Sequence, residues 1–206
     1  PTAFMQGSAA LYNKDVPNYS LSQAKLILST LGKGDLFSPS VSMENDLTTL
    51  FDFTFASFKI NEEVVPMTIL PFPHGGKEEV IIKLEEKQNQ VEAEIHLLPF
   101  EEEDVYGEYL VIHNTSEREV RIKKAASLLL PLEDQEDTLL SLSGIWAGEL
   151  NVEQTKLPTS RIVMESYTGT SSRQHNPFFA LVENHTDFNS GNCYGFNLMY
   201  SGNFEN

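Results

Sequence analysis

Apolar and polar residues alternate with a period of two along much of this chain, and this pattern restricts the fold more than any other feature. Every second position is apolar in residues 51–55, 80–84 and 91–97. Successive side chains of a β-strand point to opposite faces of the sheet, so each run predicts a strand with one buried face. Residues 85–90, between the last two runs, are polar and of hairpin length. The pattern therefore predicts antiparallel strands joined by short turns.

Further stretches with strand-like composition follow along the chain, at residues 109–113, 120–122, 162–167, 178–182 and 194–200. Helix signals are confined to two segments. Leu21 to Leu31 is apolar at mixed spacing and has room for one or two helical turns, and Ala125 to Leu132 is a short apolar run stopped by Pro131. Many short strands with little helix indicate an all-β fold, a large antiparallel β-sandwich. No linker or repeat divides the sequence, so residues 1–206 are interpreted as a single domain.

The charge balance excludes two classes of partner. The chain has 14 basic and 30 acidic residues, which gives a net charge of −16. Such a field repels phosphate backbones and anionic lipid surfaces, so neither nucleic acid nor a membrane is expected as a partner. No apolar stretch approaches the roughly 20 residues that a membrane-spanning helix requires. Neutral ligands, including sugars, remain compatible with this charge.

Cysteine usage indicates the compartment. Cys193 is the only cysteine, so no intrachain disulfide can form. Secreted domains of this size commonly carry one, and the chain is therefore predicted to be cytoplasmic. Cys193 itself is interpreted as a small buried apolar side chain within a strand. The first residues, Pro1 to Leu11, lack a starting Met and the pattern of a signal peptide, which predicts that the chain begins within a longer protein.

A search for catalytic or metal-binding motifs finds none. The acidic runs at 101–104 and 133–137 lack the spacing of a calcium loop and are interpreted as solvated loops. The five histidines are scattered, so no zinc site and no cofactor are predicted. Ser171 and Ser172 lie close to His175 in sequence, but no Gly-x-Ser-x-Gly elbow surrounds them. A structural turn is the favoured interpretation of that segment.

Trp146 is the only tryptophan, and it lies between Gly144 and Gly148. Glycines let a backbone or a ligand approach closely. Two interpretations stay open: packing in a core or at a domain interface, and an aromatic platform for a sugar ring.

Three blocks of the C-terminal third, residues 144–149, 169–178 and 195–204, occur in a distinctive order and spacing. Tyr19-Ser20-Leu21 and the segment 34–39 agree with them. Together these blocks resemble the N-terminal β-sandwich domain, or supersandwich, of bacterial α-galactosidases of glycoside hydrolase family 36. The resemblance covers residues 17 to 206.

The resemblance implies a parent enzyme with a central (β/α)₈ barrel and a C-terminal β-domain. Such enzymes hydrolyse terminal α-galactosides, such as melibiose and raffinose, with retention of configuration. Their two catalytic Asp residues lie in the barrel, so this chain is expected to carry no catalytic residue. It is interpreted as a fragment that lacks the first strands of the domain and the downstream barrel. Its expected partners are that barrel, further copies in a homo-oligomer and neutral α-galactosides.

The resemblance also singles out individual residues. Candidate substrate-binding residues are Trp146 and Asn203. Candidate structural residues of the shared blocks are Asp35, Glu149, Ser171, Ser172, Asn176, Pro177 and Gly202.

The chain departs from the family pattern at three positions. Phe37 and Gly148 stand where the pattern has arginine, and the region around Pro17 lacks the Asp and Arg that tetrameric relatives lend to a neighbouring active site. An arginine offers a planar set of donors that neither Phe nor Gly replaces. Altered specificity, a smaller assembly and reduced activity of the parent enzyme are the open consequences. The alternative function is a free-standing carbohydrate-binding or structural β-sandwich module.

Overall fold

The structure is a computed structural model that describes residues 26–31, 34–35, 38–61, 76–132, 137–158, 161–171 and 174–206. These residues form fourteen β-strands and no helix. The strands are β1 (Thr30–Leu31), β2 (Gly34–Asp35), β3 (Val41–Glu44), β4 (Thr54–Asn61), β5 (Glu79–Glu86), β6 (Val91–Phe100), β7 (Val105–Asn114), β8 (Arg121–Ala125), β9 (Thr138–Ile145), β10 (Gly148–Lys156), β11 (Glu165–Ser166), β12 (His175–Val182), β13 (Cys193–Asn197) and β14 (Phe204–Glu205). The prediction of an all-β fold is confirmed.

The chain divides into two compact units. The first comprises Pro1–Val65 and Pro73–Leu132, and the second comprises Pro66–Phe72 and Glu133–Asn206. The interpretation of residues 1–206 as a single domain stays a prediction.

The first unit contains two four-stranded sheets that share one core. One sheet has the order β2-β1-β3-β8 and the other the order β4-β5-β6-β7. All neighbouring strands are antiparallel except β1, which pairs parallel with β2 and β3. The core joins Val41 and Met43 of β3 to Leu84, Ala93 and Ile95 of the other sheet. Two sheets burying one apolar layer between them form a β-sandwich, as the alternation predicted.

The predicted hairpin between residues 84 and 91 is confirmed. Glu86 pairs with Val91 across four turn residues. Glu86 is buried, and its carboxylate accepts the backbone N–H groups of Gln88 at 3.3 Å and Asn89 at 2.6 Å. Gln90 closes the turn with a φ of 56°. The buried charge therefore satisfies turn amides that strand pairing leaves free.

The prediction of a strand at residues 51–55 is wrong about where the strand begins and about the burial of Phe55. Phe51 and Phe53 are buried as expected, but they precede β4, which begins at Thr54. Phe55 is 64% exposed. β4 is the edge strand of its sheet, and its pairing with β5 shifts register between Phe55 and Ser57. A bulge of this kind changes which side chains face the core.

The second unit contains one larger and one smaller sheet. The four-stranded sheet has the order β10-β9-β12-β13, and β11 pairs with β14 alone. All of these pairs are antiparallel. Phe179 of β12 and Phe196 of β13 lie opposite each other and stack with ring centroids 4.8 Å apart. Cross-strand aromatic pairs of this type stabilise a sheet.

Three expectations about local structure are corrected or fall outside the described residues. Cys193 lies in the edge strand β13, in a strand as expected, but it is exposed, not buried. Residues 21–25 of the first helix candidate lie outside the described residues, and Thr30–Leu31 is a strand. Ala125 ends β8, and residues 126–132 form no helix. Within the described ranges, no helix is long and apolar enough to cross a membrane.

Candidate functional site

Trp146 lies at the tip of the β9–β10 hairpin. Its side chain is 77% exposed, and that of the neighbouring Ile145 is 74% exposed. A Cβ on Gly144 would lie 2.6 Å from the Cα of Glu149, so only glycine allows the two strands to approach this closely. With 77% of its surface exposed, Trp146 is not packed in a core formed by the described residues. The indole is presented outward, as a domain interface or a sugar platform requires.

Glu149 and Asn151 hold the turn that presents Trp146. The Glu149 carboxylate accepts the backbone N–H of Ala147 at 3.1 Å, and the Asn151 amide donates to the carbonyl of Gly148 at 2.7 Å. Ala147 and Leu150 both have a φ of 61°. Left-handed backbone at residues other than glycine is costly, so these side-chain hydrogen bonds help to keep the hairpin in one conformation.

Asn203, the second candidate for substrate binding, serves a different turn. Its side-chain carbonyl accepts the backbone N–H of Gly169 at 2.7 Å, and Gly169 has a φ of 78°. The side chain thus ties the loop after β11 to the start of β14. No hydrogen bond among the described residues joins Asn203 to Trp146. The two candidates therefore lie in separately braced turns.

The structural candidates between residues 171 and 177 surround the start of β12. The side-chain oxygen of Asn176 accepts the N–H of Phe178 at 3.0 Å, and the carbonyl of Pro177 accepts the N–H of Leu198 at 3.3 Å. Ser171 is half-buried, and Ser172 lies outside the described residues. His175 Nδ1 is buried without a hydrogen-bond partner among the described residues.

The remaining candidates are a turn glycine and a residue whose side chain lies outside the described part of the structure. A Cβ on Gly202 would lie 2.7 Å from the Tyr200 hydroxyl, so this glycine allows a close approach. The backbone of Asp35, in β2, pairs with that of Leu31 in β1, and the side chain of Asp35 lies outside the described part of the structure. Pro17 and Phe37 also lie outside the described residues, and Gly148 pairs with Ile145 in the hairpin.

A buried polar cluster that the sequence did not reveal lies on β4 to β7. We define the Glu79 cluster as Glu79, Asn61, His96 and Tyr109. Glu79 is 5% exposed. One carboxylate oxygen lies 2.8 Å from His96 Nδ1 and 2.8 Å from the Tyr109 hydroxyl, and the other accepts from the Asn61 amide at 3.2 Å. His96 also stacks on Tyr109 with ring centroids 4.3 Å apart.

The Glu79 cluster is arranged to hold a carboxylate in its charged form. Burial acts to raise the pKa of Glu79, but the hydrogen bonds from His96, Tyr109 and Asn61 outweigh it, so the pKa lies below its usual value. Burial and the neighbouring Glu79 raise the pKa of the Tyr109 hydroxyl. The second ring nitrogen of His96 lies 3.5 Å from Glu94. A carboxylate with this many partners stabilises strand pairing, and little of it is accessible to a substrate.

Glu108 of β7 titrates in an unusual range. Its pairing partner is Leu97, and it shares the core-facing side of the strand with Leu110. Burial raises the pKa of Glu108 to about 7. Between pH 4.5 and about 7, Glu108 therefore keeps its proton in the folded chain but has lost it in the unfolded chain.

Replacing Glu108 with glutamine is expected to remove this pH dependence. Between pH 4.5 and about 7 the folded wild type binds more protons than the unfolded chain, so its stability falls as the pH rises through this window. At pH 8 the free energy of unfolding of Glu108→Gln should be higher than that of wild type by about 2 kcal/mol, a figure that allows for the partial exposure of the side chain. Urea unfolding of both proteins at several pH values measures this difference in stability. Glu101→Gln, at an exposed position, is the control, and equal pH profiles of wild type and Glu108→Gln would contradict the expectation.

The described residues contain no cluster of potential metal ligands. None of their His, Cys, Asp and Glu side chains gather in a group of three or more that could hold a metal ion. A surface depression near the β3–β8 pair is lined by both signs of charge, and Asp46 pairs with Arg118 at 2.7 Å while Glu44 lies 3.6 Å from Arg121. Because these charges compensate each other, the depression has no evident ligand.

Fold and polar groups together define a class of protein: an all-β domain of the β-sandwich type, whose described polar clusters serve turns and strand pairing. Residues 2–206 match the sequence profile described as the glycosyl hydrolase family 36 N-terminal domain. The chain therefore belongs to glycosyl hydrolase family 36, as its N-terminal domain. The resemblance inferred from the sequence blocks is confirmed.

Two curated relatives are α-galactosidases. The α-galactosidase Mel36A of Lactobacillus acidophilus is 30% identical over 180 residues, which cover 85% of this chain and 25% of the relative. The bifunctional α-galactosidase/sucrose kinase AgaSK of Mediterraneibacter gnavus is 32% identical over 190 residues, which cover 90% of this chain and 20% of the relative. This chain thus spans about a quarter or less of the relatives it matches.

Solved structures agree with this assignment. The galactosidase domain of AgaSK superposes with a TM-score of 0.85 at 32% identity, covering 91% of this chain and 27% of the other. The α-galactosidase of Lactobacillus brevis superposes with a TM-score of 0.86 at 25% identity, covering 94% of this chain and 27% of the other.

Proposed function

We propose that this chain is the non-catalytic N-terminal domain of an α-galactosidase. It packs on the catalytic barrel, shapes the border of the active site and supports assembly of a homo-oligomer. The match to the family's N-terminal domain over residues 2–206 carries this proposal. The α-galactosidases among its relatives support it further.

The chemistry of retaining glycoside hydrolysis supports a catalytic centre elsewhere in the parent enzyme. Such a centre requires two carboxyl groups about 5 Å apart that flank the scissile bond, one as nucleophile and one as acid and base. In a (β/α)₈ barrel these groups lie at the C-terminal ends of the strands. Among the described residues, the most deeply buried carboxylates are Glu79 and Glu86, and these are bound by side chains or turn amides of their own sheet. They are engaged in structure and little exposed to a sugar.

Hydrolysis assays on two proteins test the proposal. A longer enzyme that contains residues 1–206 should hydrolyse melibiose and raffinose, with an initial product that retains the α-configuration. The 206-residue chain alone should release no galactose above the uncatalysed background. Galactose release by the isolated chain would refute its non-catalytic role, and a longer enzyme active only on other glycosides would refute the assignment to α-galactosides.

A second candidate function, a carbohydrate-binding module, is favoured by the exposure of Trp146. Aromatic rings with exposed faces are common sugar platforms, and this one stands on a braced hairpin. Because Trp146 is the only tryptophan of the chain, its fluorescence reports binding without interference. A saturable change on titration with raffinose, absent with glucose, would establish the module. An unchanged signal together with concentration-dependent assembly would favour a purely structural domain.

The cytoplasm is the proposed compartment of the parent enzyme. The support is the single cysteine, which leaves the chain without an internal disulfide. Cell fractionation of the source organism, with the galactosidase activity followed in each fraction, tests the compartment. Activity confined to the extracellular fraction would overturn it.

A further inference from the structure

The first half of strand β7 is held more weakly than the second half. β7 is an outer strand of its sheet, and β6 is its pairing partner among the described strands. Val105 and Tyr106, which begin the strand, are 51% and 75% exposed, and Gly107 has no side chain to pack. Residues 105–107 therefore depend mainly on backbone pairing with β6. Segments with few buried apolar contacts are the first to open in a native protein.

The second half of β7 is fixed on both faces of the sheet. On the core-facing side, Leu110 and Ile112 pack against the hydrophobic core. On the other side, the Tyr109 hydroxyl donates to the buried carboxylate of Glu79 at 2.8 Å, and the Tyr109 ring stacks on His96. A detachment that begins at the start of the strand is therefore expected to stop before Tyr109.

Glu108 lies at the boundary between the two halves, in an apolar row that crosses the sheet. Its partner across the strands is Leu97, which lies opposite Val80, and Val80 lies opposite Ile60. Residues paired in this way share one face of a sheet, so the carboxyl group of Glu108 shares its face with three aliphatic side chains. Burial at this position raises the pKa of Glu108 to about 7.

No opposite charge among the described residues compensates Glu108 on its face of the sheet. The other titratable side chains on that face are Tyr106, two residues away, and Glu86, at the far end, where turn amides bind its carboxylate. The core-facing positions of the opposite sheet are uncharged: Val41 and Met43 of β3, with Ala125 and Ile122 of β8. An ionised Glu108 in the docked strand would therefore be a negative charge among apolar side chains.

The turn that precedes β7 does little to hold the start of the strand. Residues 101–104 are all acidic and exposed. Asp104 has a φ of 53°, a costly conformation for a residue other than glycine. Lys77 pairs with Glu102 at 3.1 Å, but both side chains are more than four-fifths exposed, and such a pair contributes little to stability.

We propose that residues 105–108 form a proton-controlled edge of the sheet, which is docked on β6 while the Glu108 carboxyl group is protonated and detaches when that group ionises. In the detached segment the carboxyl group regains its ordinary pKa of 4.5, whereas its pKa in the docked segment is about 7. Detachment therefore releases a proton between these values. The detached fraction rises with pH from 4.5 to about 7 and is constant above that range.

Amide hydrogen exchange of the 206-residue chain, resolved by residue with NMR, tests the proposal. Each observed rate is compared with that of an unstructured peptide at the same pH, because exchange itself is catalysed by base. The protection of residues 105–108 should fall roughly thirtyfold from pH 5 to pH 7, since one released proton changes an equilibrium by at most tenfold per pH unit. Protection that is equal at the two pH values would refute the proposal.

Low concentrations of urea show whether the opening is local. Detachment of four residues exposes little surface, so the exchange of residues 105–108 should be almost independent of urea. Residues 110–112 should be better protected and should exchange only through larger, urea-sensitive openings. If both halves of β7 have equal protection and equal urea dependence, the strand opens as a whole and the proposal is wrong.

Two variants identify the group that releases the proton. Glu108→Gln cannot ionise, so the protection of residues 105–108 should be the same at pH 5 and pH 7. Glu101→Gln removes a carboxylate from the exposed turn and is the matched control, which should keep the thirtyfold change. A change of the wild-type size in Glu108→Gln would assign the proton to another group and contradict the proposal.

Discussion

Replacing Glu79 with alanine lowers the free energy of unfolding by about 3 to 5 kcal/mol at neutral pH. The carboxylate is buried and binds His96, Tyr109 and Asn61 at 2.8, 2.8 and 3.2 Å. Its removal takes away the acceptor that these groups share, and Tyr109 and Asn61 come from two different strands. Unsatisfied buried polar groups account for much of the cost. Urea unfolding of the 206-residue chain, followed by circular dichroism, measures the loss.

The pH dependence distinguishes this effect from a simple loss of packing. Because the pKa of Glu79 is lower in the folded chain than its ordinary value of 4.5, its contribution is complete above that value. It is lost as the pH falls through the folded-state pKa. The stability difference between wild type and Glu79→Ala should therefore become smaller in acid. Glu78→Ala, at the exposed neighbouring position, should change stability by less than about 0.5 kcal/mol. A difference for Glu79→Ala that is independent of pH would contradict a charged cluster.

Leu98→Ala should destabilise the chain by about 2 to 5 kcal/mol. Leu98 is 0% exposed and is among the largest fully buried side chains. Its pairing partner Gly107 has no side chain to relax into the space that truncation creates. Both the lost apolar burial and the remaining cavity therefore contribute.

Leu47→Ala is the matched control for Leu98→Ala, because the same substitution is made where the side chain is 68% exposed. Leu47→Ala should shift the midpoint of urea unfolding only slightly. The slope of the unfolding free energy against urea concentration should be equal in both variants. A loss below about 1 kcal/mol for Leu98→Ala would show that the site collapses around the smaller side chain.

Residues 80–97 show how far reasoning from the sequence reaches. Alternation there correctly predicted β5, β6 and the hairpin between them, because register and burial follow directly from a period of two. The same reasoning gave no reason to connect Asn61, Glu79, His96 and Tyr109. These residues lie on four successive strands and meet only through the register of the sheet. The one sequence signal for this cluster was the polar residue His96 beside Ile95, which is buried in the structure. That signal does not indicate which residues His96 contacts.

Two of the expectations that failed concern side chains on edge strands. Phe55 and Cys193 have apolar character and lie in strand-like runs, which favours burial. The structure places both on outer strands, β4 and β13, where the sheet has no neighbour on one side. Composition does not state which strand of a sheet lies at its edge, because that order depends on pairing between distant segments.

By itself the sequence determined the all-β class, the antiparallel pairing and, through its blocks around Trp146, Asn176 and Gly202, membership of glycosyl hydrolase family 36. The first two properties follow from local periodicity, whereas family membership rests on the resemblance of these blocks and on the matching family profile. The tertiary structure alone decided that Trp146 points outward and that Glu79 is a buried, fully partnered charge. The physical reason is that exposure and hydrogen bonding depend on which segments come to lie side by side, and that depends on register and strand order across the whole sheet.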